Sequence, residues 1–224
     1  MCARARRLAT LIGLAALLTL GGCGGSSDAT SAHALKLRRE DLIAVCGALN
    51  SAAGRVAVEV AAAKQAWRLI ADGLPRVGPT AVAPAIATAA TSAAGIVVPS
   101  PLGEAQAMSL TGPAAEIAGL FRSYALLSTR GWRLIAAAAS EIERGTPAGA
   151  RFARENVALY IESVYDGHFT LAQIGKRLLA GYRELGGVRV FGAALPAAQV
   201  NALAATYSEA SDRLHPHVGV RLGS

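Results

Sequence analysis

Apolar residues recur at intervals of three and four along most of the chain, which is the spacing of the buried face of an α-helix. The first such run begins at Leu42 and is predicted to end at Gly73, because glycine followed by Pro75 stops a helix. Its apolar positions are Leu42, Cys46, Leu49, Ala53, Val56, Val60, Ala63, Trp67, Ile70 and Leu74. Glu59 and the other polar residues of this run fall outside that apolar face.

Two more long helices follow. The Thr-Gly-Pro sequence at 111–113 opens the second one, because proline suits the first helical turn. The Gly-Thr-Pro sequence at 145–147 then supplies a C-cap, an N-cap and the first turn of the third helix, which the glycine pair at 186–187 ends. So short a connection predicts two antiparallel neighbours. Their apolar positions are Ile117, Phe121, Tyr124, Ser128, Gly131, Ile135, Ala138 and Ile142 in the second helix, and Val157, Ile161, Val164, His168, Leu171, Gly175, Leu178, Tyr182 and Leu185 in the third.

Two shorter helices complete the predicted fold. One starts near Pro196, and the other covers Ala81 to Ala94. Residues 77–103 carry no charge, but their prolines argue against a membrane span, and a lid, a short helix and a plain crossover stay open for this segment. The fold class is therefore all-α: an elongated helical bundle of three long and about two short helices, forming a single domain over residues 35–224.

Composition supports this fold class. Of 224 residues, 53% are hydrophobic, 17% are charged and only 5% are aromatic, because the chain contains 50 alanines. These values exclude a disordered chain, a disulfide-rich scaffold and an all-β fold, which needs more Val, Ile, Tyr and Thr. Alanine-rich helix faces predict that the helices approach one another closely.

The N-terminus has the pattern of a secretory signal peptide. Arg4, Arg6 and Arg7 form a basic head, and residues 8–20 are uncharged and rich in Leu and Ala. This apolar run of about 13 residues is too short to cross a bilayer core, which needs about 20. We therefore expect residues 1–22 to be cleaved on export.

The end of the signal, Leu-Gly-Gly-Cys at 20–23, resembles the lipobox of bacterial lipoproteins. Gly21 departs from the Ala, Ser or Thr that is commoner at its position in that family. The resemblance covers only residues 1–23 and implies that Cys23 carries a diacylglycerol thioether and often a further acyl chain such as palmitate. It implies a lipid anchor on the extracytoplasmic face of the cell membrane or outer membrane. Residues 23–34 are then predicted to be the lipidated cysteine and a flexible small-polar tether.

Export changes the net charge and the number of free thiols of the mature chain, and with them the partners and the disulfides to be expected. The whole chain has a formal charge of +7, and loss of three arginines with the signal leaves +4. No nucleic-acid partner is expected for an exported chain. A mild attraction to anionic lipid head groups is expected from the remaining positive charge. With Cys23 lipidated, Cys46 is the remaining thiol, so no intramolecular disulfide is available and stability must come from packing.

His168 is the sharpest candidate for chemistry, because it lies on an apolar helix face. It is interpreted either as a core histidine that bonds across the bundle, for example to Tyr124, or as part of a pocket with Tyr165 and Tyr124 that holds a ligand. The chain lacks the paired Glu-x-x-His motifs of di-iron bundles and the Cys-x-x-Cys-His motif of covalent haem. No metal ligand, cofactor-binding residue or catalytic residue is assigned.

The sequence thus predicts a lipid-anchored extracytoplasmic helical protein, a scaffold or interaction module of the cell envelope. Its expected partners are the membrane, through the anchor, and an envelope protein. The alternative is a helical-bundle protein that binds a small apolar, metal or haem ligand near His168. An enzyme is less favoured, because no nucleophile, base or phosphate-binding loop forms a recognisable motif.

Overall fold

The structure is a computed structural model, and it describes residues 26–69 and 78–212. Those residues form seven helices and no strand, so the all-α prediction is confirmed. The helices are α1 (Ser26–Arg68), α2 (Pro79–Ile96), α3 (Glu104–Ser109), α4 (Gly112–Glu143), α5 (Pro147–Glu184), α6 (Val188–Phe191) and α7 (Ala197–Asp212). The three long helices are α1, α4 and α5. Helices α2 and α7 are the two shorter ones, and α3 and α6 are additional helices of only six and four residues.

Helices α4 and α5 form the predicted antiparallel hairpin. Helix α4 begins directly after Thr111 with a proline in its first turn, and α5 begins at Pro147 after Gly145, whose φ of +70° is a conformation that glycine adopts without strain. All eight apolar positions predicted for α4 are buried, and so are those of α5 from Val164 onward. At 1.5 Å per residue the two helices are about 48 and 57 Å long.

Helices α1, α2 and α7 pack around this hairpin. Helix α2 lies along α4, and α7 lies along α5 and reaches α1. Tyr207 of α7 is fully buried, and its hydroxyl donates to the backbone oxygen of Leu49 on α1 at 2.9 Å. Phe121 of α4 packs edge-on against Tyr207 and Tyr124, with ring centroids 6.4 and 5.4 Å apart. The middle of the core is therefore aromatic.

The uncharged segment between the first two long helices contains a short helix rather than a plain crossover. Helix α2 extends two residues beyond each end of the predicted helix Ala81 to Ala94. Its buried face consists of Val82, Ala83, Ile86, Ala90 and Ala93. Contact between this face and α4 accounts for the absence of charge on one side of the segment.

The start of α1 differs from the prediction. Residues 26–34 were predicted to belong to a flexible tether, but the helix already begins at Ser26. The glycines lie before this point, and the alanines that follow are strong helix formers, with Asp28 favourably placed in the first turn. We call residues 26–37 the stalk: it is about 18 Å long, and its side chains from Thr30 to Leu37 are exposed. The predicted end of the helix at Gly73 lies outside the described residues.

Helix α1 is apolar enough to be compared with a membrane span. From Thr30 to Ala66 its length and composition meet that criterion, with a mean hydropathy of 1.3 over the most apolar window. Val56, Val60 and Ala63 of this helix are buried in the core. Packing against the other helices therefore accounts for part of its apolar character.

Candidate functional site

Glu59 of α1 lies at the centre of the bundle and is 0% exposed. The sequence-based prediction that Glu59 falls outside the apolar face of α1 was therefore wrong. Glu59 follows Val56 by three residues and precedes Ala63 by four, so it shares their face of the helix. The buried face of α1 is wider than one line of apolar residues, and it includes a carboxylate.

The Glu59 carboxylate accepts hydrogen bonds from two other helices. On α4, Trp132 Nε1 donates to Oε1 at 2.6 Å and the Tyr124 hydroxyl donates to Oε2 at 3.2 Å. On α5, His168 Nε2 lies 2.5 Å from the same Oε2. We call Glu59, Tyr124, Trp132 and His168 the core cluster. It satisfies the requirement that a buried carboxylate be hydrogen-bonded, and it ties α1 to the α4–α5 hairpin.

His168 is held with one ring nitrogen bonded and the other unpaired. Its ring is 1% exposed, and Nδ1 has no hydrogen-bond partner in the described part of the chain. An ionised carboxylate can only accept hydrogen bonds, so with Glu59 ionised the contact requires the tautomer of His168 that has its N–H at Nε2. His168 thus bonds across the bundle, with Glu59 rather than Tyr124 as its partner.

Tyr124 acts in the core cluster as a hydrogen-bond donor. Burial raises the pKa of its phenol above the ordinary value, and the negative charge of Glu59 raises it further. The phenol consequently remains protonated at physiological pH. The centroid of its ring lies 6.1 Å from that of the His168 imidazole, so Tyr124 and His168, two of the three residues predicted for a pocket, are neighbours.

A close crossing of α4 and α5 brings His168 to the cluster. A Cβ atom at Gly167 would lie 2.6 Å from Ser128 Oγ and 3.1 Å from the Ser128 backbone nitrogen. Only glycine fits this approach without a shift of the helices. The Ser128 hydroxyl is buried at this crossing and has no hydrogen-bond partner among the described residues.

The remaining predicted residues lie elsewhere. Tyr165 is half-buried on α5 and packs against the edge of the core. Cys23 lies outside the described residues. Two grooves are lined by residues outside the core cluster: one of about 150 Å³ between α1 and α7, and one of about 500 Å³ between α1 and α2.

The core cluster is poorly suited to metal binding or catalysis. In residues 26–69 and 78–212 no three His, Cys, Asp or Glu side chains are grouped as metal ligands. Glu59 and His168 alone provide fewer than the three or four protein ligands of a typical zinc site. Their burial at 0% and 1% exposure also keeps a substrate from reaching them. The arrangement connects helices and is not open to a reactant.

Cys46 is a further buried titratable side chain, on the apolar face of α1. It is a free thiol at 1% exposure, and burial raises its pKa from an ordinary 9.0 to about 12. Since only the thiolate is an efficient nucleophile, the folded protein contains an unreactive thiol at neutral pH.

We expect Cys46 to resist a disulfide reagent at pH 8 in the folded protein and to react fully in denaturant. Because its pKa is raised on folding, its stabilising effect is complete below pH 9 and declines as pH rises from 9 toward 12. In a chain that begins at Gly24, Cys46 is the only thiol. Cys46→Ala should therefore lose less stability than the parent between pH 9 and 11 in urea unfolding. Rapid labelling without denaturant would contradict this expectation.

Comparisons with protein-family models, with curated proteins and with solved structures find no match.

Proposed function

We propose that this protein is a lipid-anchored, extracytoplasmic helical protein that acts as a scaffold or interaction module of the cell envelope. The observation that carries the proposal is the Leu-Gly-Gly-Cys sequence at 20–23, placed directly after a basic head and a short apolar run. Each of these three features has its place in a lipoprotein signal. Two or three acyl chains on Cys23 meet or exceed the two-signal requirement for stable membrane attachment.

The form of α1 agrees with this proposal. The helix begins three residues after Cys23 and continues without interruption through the stalk into the core. An anchor on Cys23 is then followed by a helical rod rather than by a long flexible tether. Such a rod would hold the bundle within about a stalk length of the bilayer and leave its sides open to other envelope proteins.

The alternative, a metal or haem ligand at His168, has less support. The His168 Nε2 atom is engaged by Glu59, and the ring is buried among packed side chains. A ligand would have to displace Glu59 and leave Tyr124 and Trp132 without an acceptor. The interior of the bundle is therefore better explained as structural.

We expect Cys23→Ser to abolish incorporation of labelled palmitate and cleavage to the mature size. The parent should be acylated, mature and membrane-bound in fractionated cells, because acylation is what licenses cleavage before the cysteine in lipoproteins. Cys46→Ser serves as the matched control, since it removes a thiol that burial makes unreactive. Palmitate incorporation that persists in Cys23→Ser would refute the anchor.

The scaffold role has its own test. Crosslinking in intact cells, followed by mass spectrometry, should capture an envelope protein with the parent. The same protein should be lost with Cys23→Ser, because the unanchored bundle is no longer held at the membrane. A captured set that does not depend on Cys23 would contradict a role at the envelope.

A further inference from the structure

The connection between α5 and α7 presents apolar side chains to solvent. We call residues 186–192 the tip: it begins with two glycines and ends with Gly192, all three at positive φ, and it contains the single turn α6. Val188 and Val190 are 64% and 38% exposed, although valine is a residue that cores favour. Phe191 of the tip is buried and stacks on Tyr182, with ring centroids 5.0 Å apart. This contact seats the tip on the bundle and holds the two valines outward.

Three arginines lie at the same end of the bundle as the tip. Arg183 and Arg189 are exposed at this end of the hairpin, and Arg39 of α1 donates from Nε to the backbone oxygen of Leu185 at 3.3 Å. Among the described residues, none of these three arginines forms an ion pair. The neighbouring carboxylate of Glu184 pairs with Arg177, which also pairs with Glu116. Arg39, Arg183 and Arg189 are therefore positive charges without a carboxylate partner of their own among the described residues.

The stalk extends this surface. Leu35 precedes Arg39 by four residues and so lies on the same face of α1, the face that meets the end of α5. Leu35 is itself exposed. Stalk and tip together form an apolar and basic surface, which we call the basal surface: Leu35, Arg39, Arg183, Val188, Arg189 and Val190.

We propose that the basal surface docks on an anionic lipid surface. Guanidinium groups bind lipid phosphates through paired hydrogen bonds, and exposed apolar side chains between them enter the head-group region. The placement rests on the proposed anchor at Cys23. A stalk about 18 Å long keeps the basal surface within reach of the bilayer, and a tilt of the bundle about the anchor brings the tip into contact with it.

A vesicle-binding assay tests this proposal without the anchor. The unlipidated chain from Gly24 retains every described residue, and its binding is measured by co-sedimentation with vesicles. We expect binding to mixed phosphatidylcholine–phosphatidylglycerol vesicles at low salt, little binding to phosphatidylcholine alone, and loss of binding as salt rises. Arg189→Ser should weaken binding about fivefold, and the Val188→Ser, Val190→Ser pair should weaken it further.

Matched controls separate the basal surface from net charge. Arg130→Ser removes one positive charge from the exposed middle of α4, and Leu126→Ser removes an exposed apolar side chain there. Both should bind as the parent does, with circular dichroism showing that all variants are folded. Equal binding to both vesicle types, or equal weakening by Arg130→Ser and Arg189→Ser, would overturn the proposal.

The two proposals fail separately. The assay uses a chain without lipid, so absence of vesicle binding would overturn docking while acylation of Cys23 in cells still supported the anchor. Conversely, absence of acylation with retained, Arg189-dependent vesicle binding would overturn the anchor and support the basal surface as a membrane contact.

Discussion

Replacing Glu59 by alanine should lower the free energy of unfolding by about 3–5 kcal/mol, because several buried donors lose their acceptor and a cavity is left. The substitution removes the acceptor from Trp132, Tyr124 and His168 at once, and all three donors remain buried. An unsatisfied buried donor costs about 1–3 kcal/mol. The lost side chain also leaves a cavity between α1 and the hairpin. Urea unfolding of the unlipidated chain from Gly24, at neutral pH, measures the difference.

Two variants make this result specific. Glu40→Ala removes a carboxylate from an exposed position of the same helix, where its pair with Lys36 spans 3.9 Å, and it should change stability by no more than about 0.5 kcal/mol. Glu59→Gln keeps the volume but replaces one acceptor by an amide donor, so its loss should lie between the other two. A Glu59→Ala variant as stable as Glu40→Ala would show that the core cluster contributes little.

The loss of stability expected for Glu59→Ala measures the cost of leaving its partners unpaired. It does not measure the net contribution of the core cluster to the stability of the protein. A charge taken out of water is costly, and hydrogen bonds only offset this cost. Removing single donors gives the complementary measurement. Tyr124→Phe and Trp132→Phe each take one bond from Glu59 and leave the others, so each should cost less than Glu59→Ala. If the losses of Tyr124→Phe and Trp132→Phe added up in the double variant, the two hydrogen bonds to Glu59 would be independent of each other.

The hairpin was predictable because its ends are set by local chemistry. Proline is tolerated in a first turn, and a glycine at positive φ ends a helix, so the sequences at 111–113 and 145–147 define both ends of α4 and the start of α5 without reference to the rest of the chain. Apolar spacing then identified their buried faces. The stalk was missed because the Gly-Gly-Ser-Ser sequence at 24–27 was given more weight than the alanines that follow it.

The core cluster was only half predictable. His168 was identified because it interrupts an apolar face, which marks it as a polar side chain in need of a partner. That partner lies 109 positions away in the sequence, and only tertiary packing brings it near. Glu59 was missed because a single line of apolar residues was followed along α1. The spacing from Val56 to Ala63 placed it on the buried face, but nothing in the sequence indicates that α4 supplies two donors there.

Gly175→Ala should lower the free energy of unfolding by about 1–3 kcal/mol, the usual cost of overpacking a tight core. A Cβ atom at this position of α5 would lie 2.5 Å from the backbone oxygen of Ala204 and 2.6 Å from Ser208 Oγ, both on α7. A side chain can rotate away, but a backbone oxygen moves only if α7 moves with it. Close helix approach was expected from small residues on the helix faces, and Gly175 is the point where α5 and α7 depend on it.

The opposite sign is expected for Gly54→Ala, which serves as the control in the same unfolding assay. Gly54 is an exposed residue inside α1, and a Cβ atom there would meet nothing within 4 Å. Alanine removes the entropic cost of a mid-helix glycine, so this variant should gain about 0.5–1 kcal/mol. The two substitutions add the same methyl group to a helix, and only the approach of α7 distinguishes them. If Gly175→Ala also gained stability, α5 and α7 would be farther apart than in the structure, where a Cβ atom at Gly175 would lie 2.5 Å from the backbone oxygen of Ala204.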